Sequence, residues 1–272
     1  MFFSDLALSR RLEAAEGHAC RQFALARRRL HPECGSEAIR IAGADVVFDG
    51  PDSPVTQTFG LGMPESPSPY HLEEIEQFFK TRGAPTQHEI SPFAGTATLQ
   101  LLCARGYRPI EISSVMFTTG EARLKAMPPP ESGADIRIRI VGPEEADLWS
   151  QVSALGWTHE HPELQPFMHE IGTLLVHRES SACFMAEIDG QEAAAGALLV
   201  HDGVALFAGA STVPEFRRRG LQGALLAARM NYARKQGCDL AMMVAEAGSD
   251  SQRNAQRQGF LVAYTRIKWR KD

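Results

Sequence analysis

The residues with the clearest chemical purpose lie in the run Thr212-Val213-Pro214-Glu215-Phe216-Arg217-Arg218-Arg219-Gly220-Leu221-Gln222-Gly223-Ala224-Leu225-Leu226. Three consecutive guanidinium groups precede two glycines, and the apolar positions Leu221, Leu225, Ala228 and Tyr232 follow at helical spacing. Backbone N–H groups that open a helix have no intrahelical partner, and the helix dipole favours negative charge there. Glycine lets a bulky anion approach the backbone, and arginine adds charge-assisted hydrogen bonds to phosphate oxygens. A diphosphate suits such an entry; a solvated arginine run ahead of an ordinary helix is the plainer alternative. A Walker-type nucleotide loop is excluded, because no Gly-Lys-Ser/Thr is present here.

The elements around this run are legible. Ile136-Arg137-Ile138-Arg139-Ile140 alternates as a half-buried strand does, and Gly142-Pro143-Glu144-Glu145 starts a helix to about Leu155. Gly156 to Pro166 reads as loop and Phe167 to His177 as a second helix. Strands follow at about Cys183–Ile188, Glu192–Val200 and Val204–Thr212, joined at Asp189-Gly190 and His201-Asp202-Gly203, where Asp-Gly tolerates positive φ. The arginine run then opens a helix from about Arg219 to Gln236, stopped by Gly237. A strand at Asp239–Val244, a short helix at Ser249–Arg257 and a last strand at Phe260–Trp269 complete the order. Hairpins mixed with one β-α-β crossover predict an α/β fold, a mixed and mostly antiparallel sheet flanked by helices.

The first half repeats the end of that order more weakly. Tyr70–Arg82 reads as helix, Pro85–Ile90 as strand, Gly95–Ala104 as helix and Ile110–Phe117 as strand, with Gly106-Tyr107 matching Gly259-Phe260 ahead of the last strand. The stretch ahead, including Leu6–Leu30, looks helical and is expected to pack on this half. Met127-Pro128-Pro129-Pro130-Glu131-Ser132-Gly133 cannot continue a helix or an interior strand. The expected organisation is therefore two similar domains in tandem, residues 1–126 with a leading helix and residues 135–272, joined by a linker at 127–134.

Composition narrows the classes. With 272 residues and 44% hydrophobic content, either half can bury a core. The net charge of −5 is spread over two acidic halves, which argues against a nucleic-acid binder. No long apolar run predicts a membrane span, and no basic-then-apolar start predicts a signal peptide. Cys20, Cys34, Cys103, Cys183 and Cys238 are scattered, with none at metal-ligand spacing, so reduced thiols, a cytoplasmic location and no metal are expected.

With Arg217, Gly220 and the preceding Pro214, the central run resembles the acyl-CoA signature of the GCN5-related N-acetyltransferase (GNAT) superfamily, Gln/Arg-x-x-Gly-x-Gly/Ala. Gln222 stands where that signature has Gly or Ala, and Gly223 follows it. The resemblance extends over residues 136–270, because the element order is that of the family fold. It implies an N-acetyltransferase that passes an acetyl group directly from acetyl-CoA to an amine. The implied cofactor-binding residues are Ser211, Thr212, Arg217, Arg218, Arg219, Gly220, Leu221, Gln222, Gly223 and Asn254. It further implies that Val204–Thr212 and Asp239–Val244 splay apart around pantetheine, and Ala208-Gly209-Ala210 is small enough for a bulge there.

Acid and base are less plain. The family's usual tyrosine position holds Ala255, and Val204–Thr212 contains no Asp or Glu. Tyr264 is the candidate acid, with Glu246 and Glu160 as candidate bases. Trp157, His159 and His161, in the loop between the first two helices of this half, are the candidate acceptor-binding residues. The first half has only Gly60-Leu61-Gly62 before its helix, without arginine, and is expected to be a degenerate relative that has lost cofactor binding. The missing tyrosine and strand carboxylate keep a second reading open: a non-catalytic acyl-CoA-binding sensor or interaction module. The acceptor amine and the oligomeric state are not readable from the sequence.

Overall fold

A computed structural model describes residues 3–119 and 135–272. In chain order the first part forms α1 (Leu6–Leu30), β1 (Glu37–Ile41), β2 (Ala44–Phe48), β3 (Gln57–Phe59), α2 (Pro69–Lys80), β4 (Thr86–Ile90), α3 (Gly95–Ala104) and β5 (Arg108–Thr119). The second forms β6 (Ile136–Val141), α4 (Ala146–Trp157), α5 (Gln165–His177), β7 (Ser181–Ile188), β8 (Gln191–His201) and β9 (Val204–Thr212). After these come α6 (Leu221–Lys235), β10 (Leu240–Glu246), α7 (Asp250–Arg257) and β11 (Leu261–Lys271). The fold is α/β, with mostly antiparallel strands flanked by helices. The series β3-α2-β4-α3-β5 repeats as β9-α6-β10-α7-β11, the tandem arrangement. The expected 127–134 linker lies outside the described residues. No described helix is long and apolar enough to cross a membrane.

The chain divides into two compact units, Met1–Phe117 with Met242–Asp272, and Thr118–Ala241. A division at 127–134 leaves β11 with the second half, yet β11 pairs antiparallel with both β4 and β5 of the first. Its two faces explain this. Ile267 and Trp269 join the apolar core formed with Leu72, Ile75, Phe79 and Leu102. Tyr264 and Arg266 turn to α1 on the opposite side. The strands β1, β2 and β3 were not foreseen. They are only three to five residues long, and all five residues of β2, Asp45 included, are buried, so none shows the period-2 alternation that marks a strand.

In the first unit the strand order is β1-β2-β3-β4-β11-β5-β10. Here α1 brings Glu13 and Glu16 to Arg266, which is 2% exposed. The guanidinium meets Glu16 at 2.6 and 2.7 Å, Glu13 at 3.3 Å and Glu89 of β4 at 3.1 Å. Tyr264 donates to Glu13 Oε1 at 2.8 Å. Lys268 adds a second cation, 3.4 Å from Glu89. Three carboxylates facing one guanidinium and one ammonium leave negative charge in excess, and burial, opposed by Arg266, raises the Glu13 pKa to about 7.

A pH dependence follows. The unfolded chain releases the Glu13 proton near its ordinary value of 4.5, whereas the folded chain keeps it until about 7. The folded state therefore binds more protons in that window, and stability falls as pH rises through it. Glu13→Gln retains an oxygen for Tyr264 and removes the titration. Urea unfolding is expected to show the variant gaining on the parent between pH 5 and pH 8, by up to about 3 kcal/mol. An equal difference at both pH values contradicts this assignment.

In the second unit the order is β9-β8-β7-β6, antiparallel throughout. The β7–β8 and β8–β9 turns place Asp189 and Gly190, then Asp202 and Gly203, at positive φ, the hairpin chemistry expected of Asp-Gly. Trp149 of α4 is fully buried and donates from Nε1 to the Phe184 carbonyl at 2.9 Å.

Candidate active site

The ladder between β8 and β9 is interrupted. Ala195 faces Ser211 and Ala197 faces Ala208, so Gly209 and Ala210 stand opposite the single residue Gly196. This is a β-bulge, and Gly209 has φ +59°, which a side chain would strain. The bulge turns backbone groups of β9 out of the ladder. The end of α4 lies directly on the strand beyond it. A Cβ on Gly156 would sit 2.5 Å from Ser211 Oγ and 2.9 Å from the Thr212 nitrogen, so only glycine permits this approach. Ser211 Oγ donates to the Ser153 carbonyl at 2.9 Å and fixes it.

Past β9 the chain makes a short 3₁₀ turn, Pro214–Phe216, and enters α6 through Arg218 at φ +63° and Gly220 at φ +86°. Gly220 is the N-cap, and no side chain caps the helix, so the first-turn amides are left for an external acceptor. A Cβ on Gly220 would meet nothing nearer than Ile136 Cδ1 at 4.0 Å. The surroundings therefore fit a diphosphate cradle: open space, free donors and a positive helix end.

The arginines divide the work. Arg217 braces the turn, donating to the Thr212 carbonyl at 3.3 Å and the Gly156 carbonyl at 3.0 Å. Arg219 pairs with Asp189 at 3.2 Å. Arg218 is exposed, and among the described residues its side chain has no ion pair. Gln222, the departure from the family signature, folds back and donates to Thr212 Oγ1 at 2.7 Å. Its side chain ties α6 to β9, while Leu221 packs inward.

The equivalent place in the first unit is built differently. Ser68 and His71 form a reciprocal capping box on α2, which uses donors that α6 leaves free. Arg10 donates to the Met63 carbonyl at 2.7 Å, and a Cβ on Gly62 would collide with Ala94 and Thr98 at 2.9 Å. The strands flanking α2 are themselves bonded, Thr58 to His88 and Phe59 to Glu89.

The remaining candidates scatter. His159 has each ring nitrogen 3.5 Å from a guanidinium nitrogen of Arg217, which places it by the turn that leads into α6. Glu160 and Trp157 are exposed, and His161 pairs with Glu163 at 3.2 Å on the surface. Glu246 and Asn254 are exposed residues of the first unit. Tyr264 belongs to that unit too, buried with its hydroxyl committed to Glu13. The sequence marks Gly156 only as the start of a loop, whereas it lies in the last turn of α4; a glycine at the end of an apolar helix is too common a signal to single out.

A bulged strand thus runs into an uncapped, arginine-flanked helix start. Residues 146–260 match the acetyltransferase (GNAT) family. A GCN5-related N-acetyltransferase from Kribbella flavida is 20% identical, with TM-score 0.61 over 93% of this chain and 95% of that one. A GCN5-related N-acetyltransferase from Sphaerobacter thermophilus is 16% identical, with TM-score 0.53 over 98% and 93%. A tandem GNAT protein from the clavulanic acid biosynthesis pathway is 12% identical, with TM-score 0.60 over 98% and 94%. At these identities the likeness is one of fold. No curated protein matches the chain.

Proposed function

We propose that residues 135–272 form an N-acetyltransferase that holds acetyl-CoA along β9 and at the entry to α6 and acetylates an amine. The observation that carries this reading is the uncapped start of α6, in contrast to the capped start of α2. Bound there, acetyl-CoA supplies a thioester whose acyl carbon bonds the amine nitrogen as the C–S bond breaks and the sulfur leaves as thiol. The chain's own part is positioning. Arg218 and the amides of Leu221, Gln222 and Gly223 take the diphosphate, Arg217 and Gln222 hold the turn in shape, and the bulge at Gly209 and Ala210 offers backbone to the acyl end. Residues 1–126 bind no coenzyme and support the fold. Five cysteines outside any disulfide and the acidic balance fit a cytoplasmic protein without a nucleic-acid partner.

One observation favours a second reading, a coenzyme-binding sensor without turnover. β9 carries no carboxylate, Ala255 is a buried alanine, and the Tyr264 proton is engaged by Glu13. Thiol release from acetyl-CoA across a panel of small amines, amino sugars and peptides separates the two. Release with one class establishes the transferase, whereas saturable binding without release for any class establishes the sensor.

A further inference from the structure

The buried face of α6 comprises Leu221, Leu225, Leu226, Met230 and Ala233, together with a cation, Arg229. Arg229 is 2% exposed. Its Nε donates to the Leu225 carbonyl at 3.3 Å, its Nη1 donates to the Ala197 carbonyl at 3.2 Å, and its Cζ lies 5.1 Å from the Phe207 ring centroid. Room for it comes from Gly196, where a Cβ would stand 3.2 Å from Cζ. No carboxylate pairs with it among the described residues, and burial alone brings its pKa to about 10, which leaves it charged at neutral pH.

A buried guanidinium without a counter-charge is costly, and an apolar side chain of similar volume would pack there without that penalty. Its location supplies a reason. Gly196, against which it rests, is the residue opposite the Gly209–Ala210 bulge, one strand away, or about 5 Å in the sheet plane. We infer that Arg229 is an electrostatic positioning residue for acyl transfer, its fixed positive charge beneath the bulge favouring negative charge on the carbonyl oxygen of a thioester held there. The inference rests on the proposed seat of acetyl-CoA along β9. Arg229 does not touch the coenzyme; it acts across the backbone of β8 and β9. A full charge roughly 8 Å away, at an effective dielectric near 20, corresponds to a rate effect of up to about 30-fold.

The test is difference infrared spectroscopy of acetyl-CoA labelled with carbon-13 at the thioester carbonyl, bound to the parent protein and to Arg229→Met, Arg229→Gln and Arg229→Lys. A positive field at the oxygen lowers the carbonyl stretching frequency. The Met and Gln variants are expected to bind the coenzyme within about three-fold of the parent while the bound carbonyl stretch moves up toward its value in free acetyl-CoA. The Lys variant retains most of the parent's shift. Glutamine keeps a donor for the Ala197 carbonyl, so it separates loss of charge from loss of a hydrogen bond. In urea, Arg229→Met is expected to unfold no earlier than the parent, whereas a purely structural arginine predicts earlier unfolding. An unchanged carbonyl stretch in a folded, coenzyme-binding Met or Gln variant overturns the inference. Failure of the parent itself to bind acetyl-CoA overturns the coenzyme seat and the inference with it.

Discussion

Gly220→Asp is expected to abolish measurable acetyl-CoA binding while the protein stays folded, with affinity falling at least about 100-fold. Two effects act on the fold and nearly cancel. An L-residue at φ +86° is strained by roughly 1–2 kcal/mol, less for aspartate than for most. Against that, an N-cap carboxylate accepts from first-turn amides and returns about 1 kcal/mol. Both consequences harm the ligand: the carboxylate consumes the donors and sets a negative charge where the diphosphate must sit. Gly220→Ala keeps the strain without the charge, so it should lose much less affinity. Calorimetric titration with acetyl-CoA, beside thermal unfolding of each variant, reads the two effects apart. A folded Gly220→Asp protein that binds as the parent does removes the basis for the coenzyme site.

The largest effect on stability is expected from Arg266→Met. Glu13, Glu16 and Glu89 have side chains 1%, 14% and 5% exposed, and Arg266 touches all three. Removing the guanidinium strands their charges where water cannot solvate them, a loss of about 3–5 kcal/mol at pH 8. The sign of the pH dependence is set by the carboxylates. Without Arg266 the already raised pKa values of Glu13 and Glu89 rise further, so protonation relieves the penalty as the pH falls, and the deficit at pH 5 should be clearly smaller than at pH 8. Adding Glu16→Gln to Arg266→Met should restore part of the loss at pH 8. Urea unfolding at both pH values measures this, and a deficit independent of pH would show that the loss is one of packing. Because the cluster joins α1 to β11, it also explains why the last strand belongs to the first compact unit.

Much of the fold was legible because its signals are local. The Asp-Gly turns, the glycine stop after α6 and the apolar period of the later helices each depend on a few adjacent residues, and β9 and α3 fall on the expected bounds. The turn into α6 was legible for the same reason, since glycine, arginine and helix start are contiguous. The short strands β1 to β3 were not, because burial on both faces erases alternation in β2 and β3, and β1 is a half-buried strand of only five residues. The buried side of α6 was misread by one position. Ala228 and Tyr232 were placed on the apolar stripe, but Arg229 and Ala233 occupy it, and no local rule predicts a cation there.

Sequence by itself determined the element order from α2 onward, the repeated series in the two halves and the glycine-and-arginine entry to α6, all set by backbone chemistry over a few residues. Tertiary structure alone decided where β11 pairs, which arginine braces the turn and which is left exposed, and that Tyr264 shares its proton with Glu13 rather than with a substrate. Those outcomes depend on groups far apart in the chain meeting in a low-dielectric interior, where charge and hydrogen-bond partners are chosen by packing.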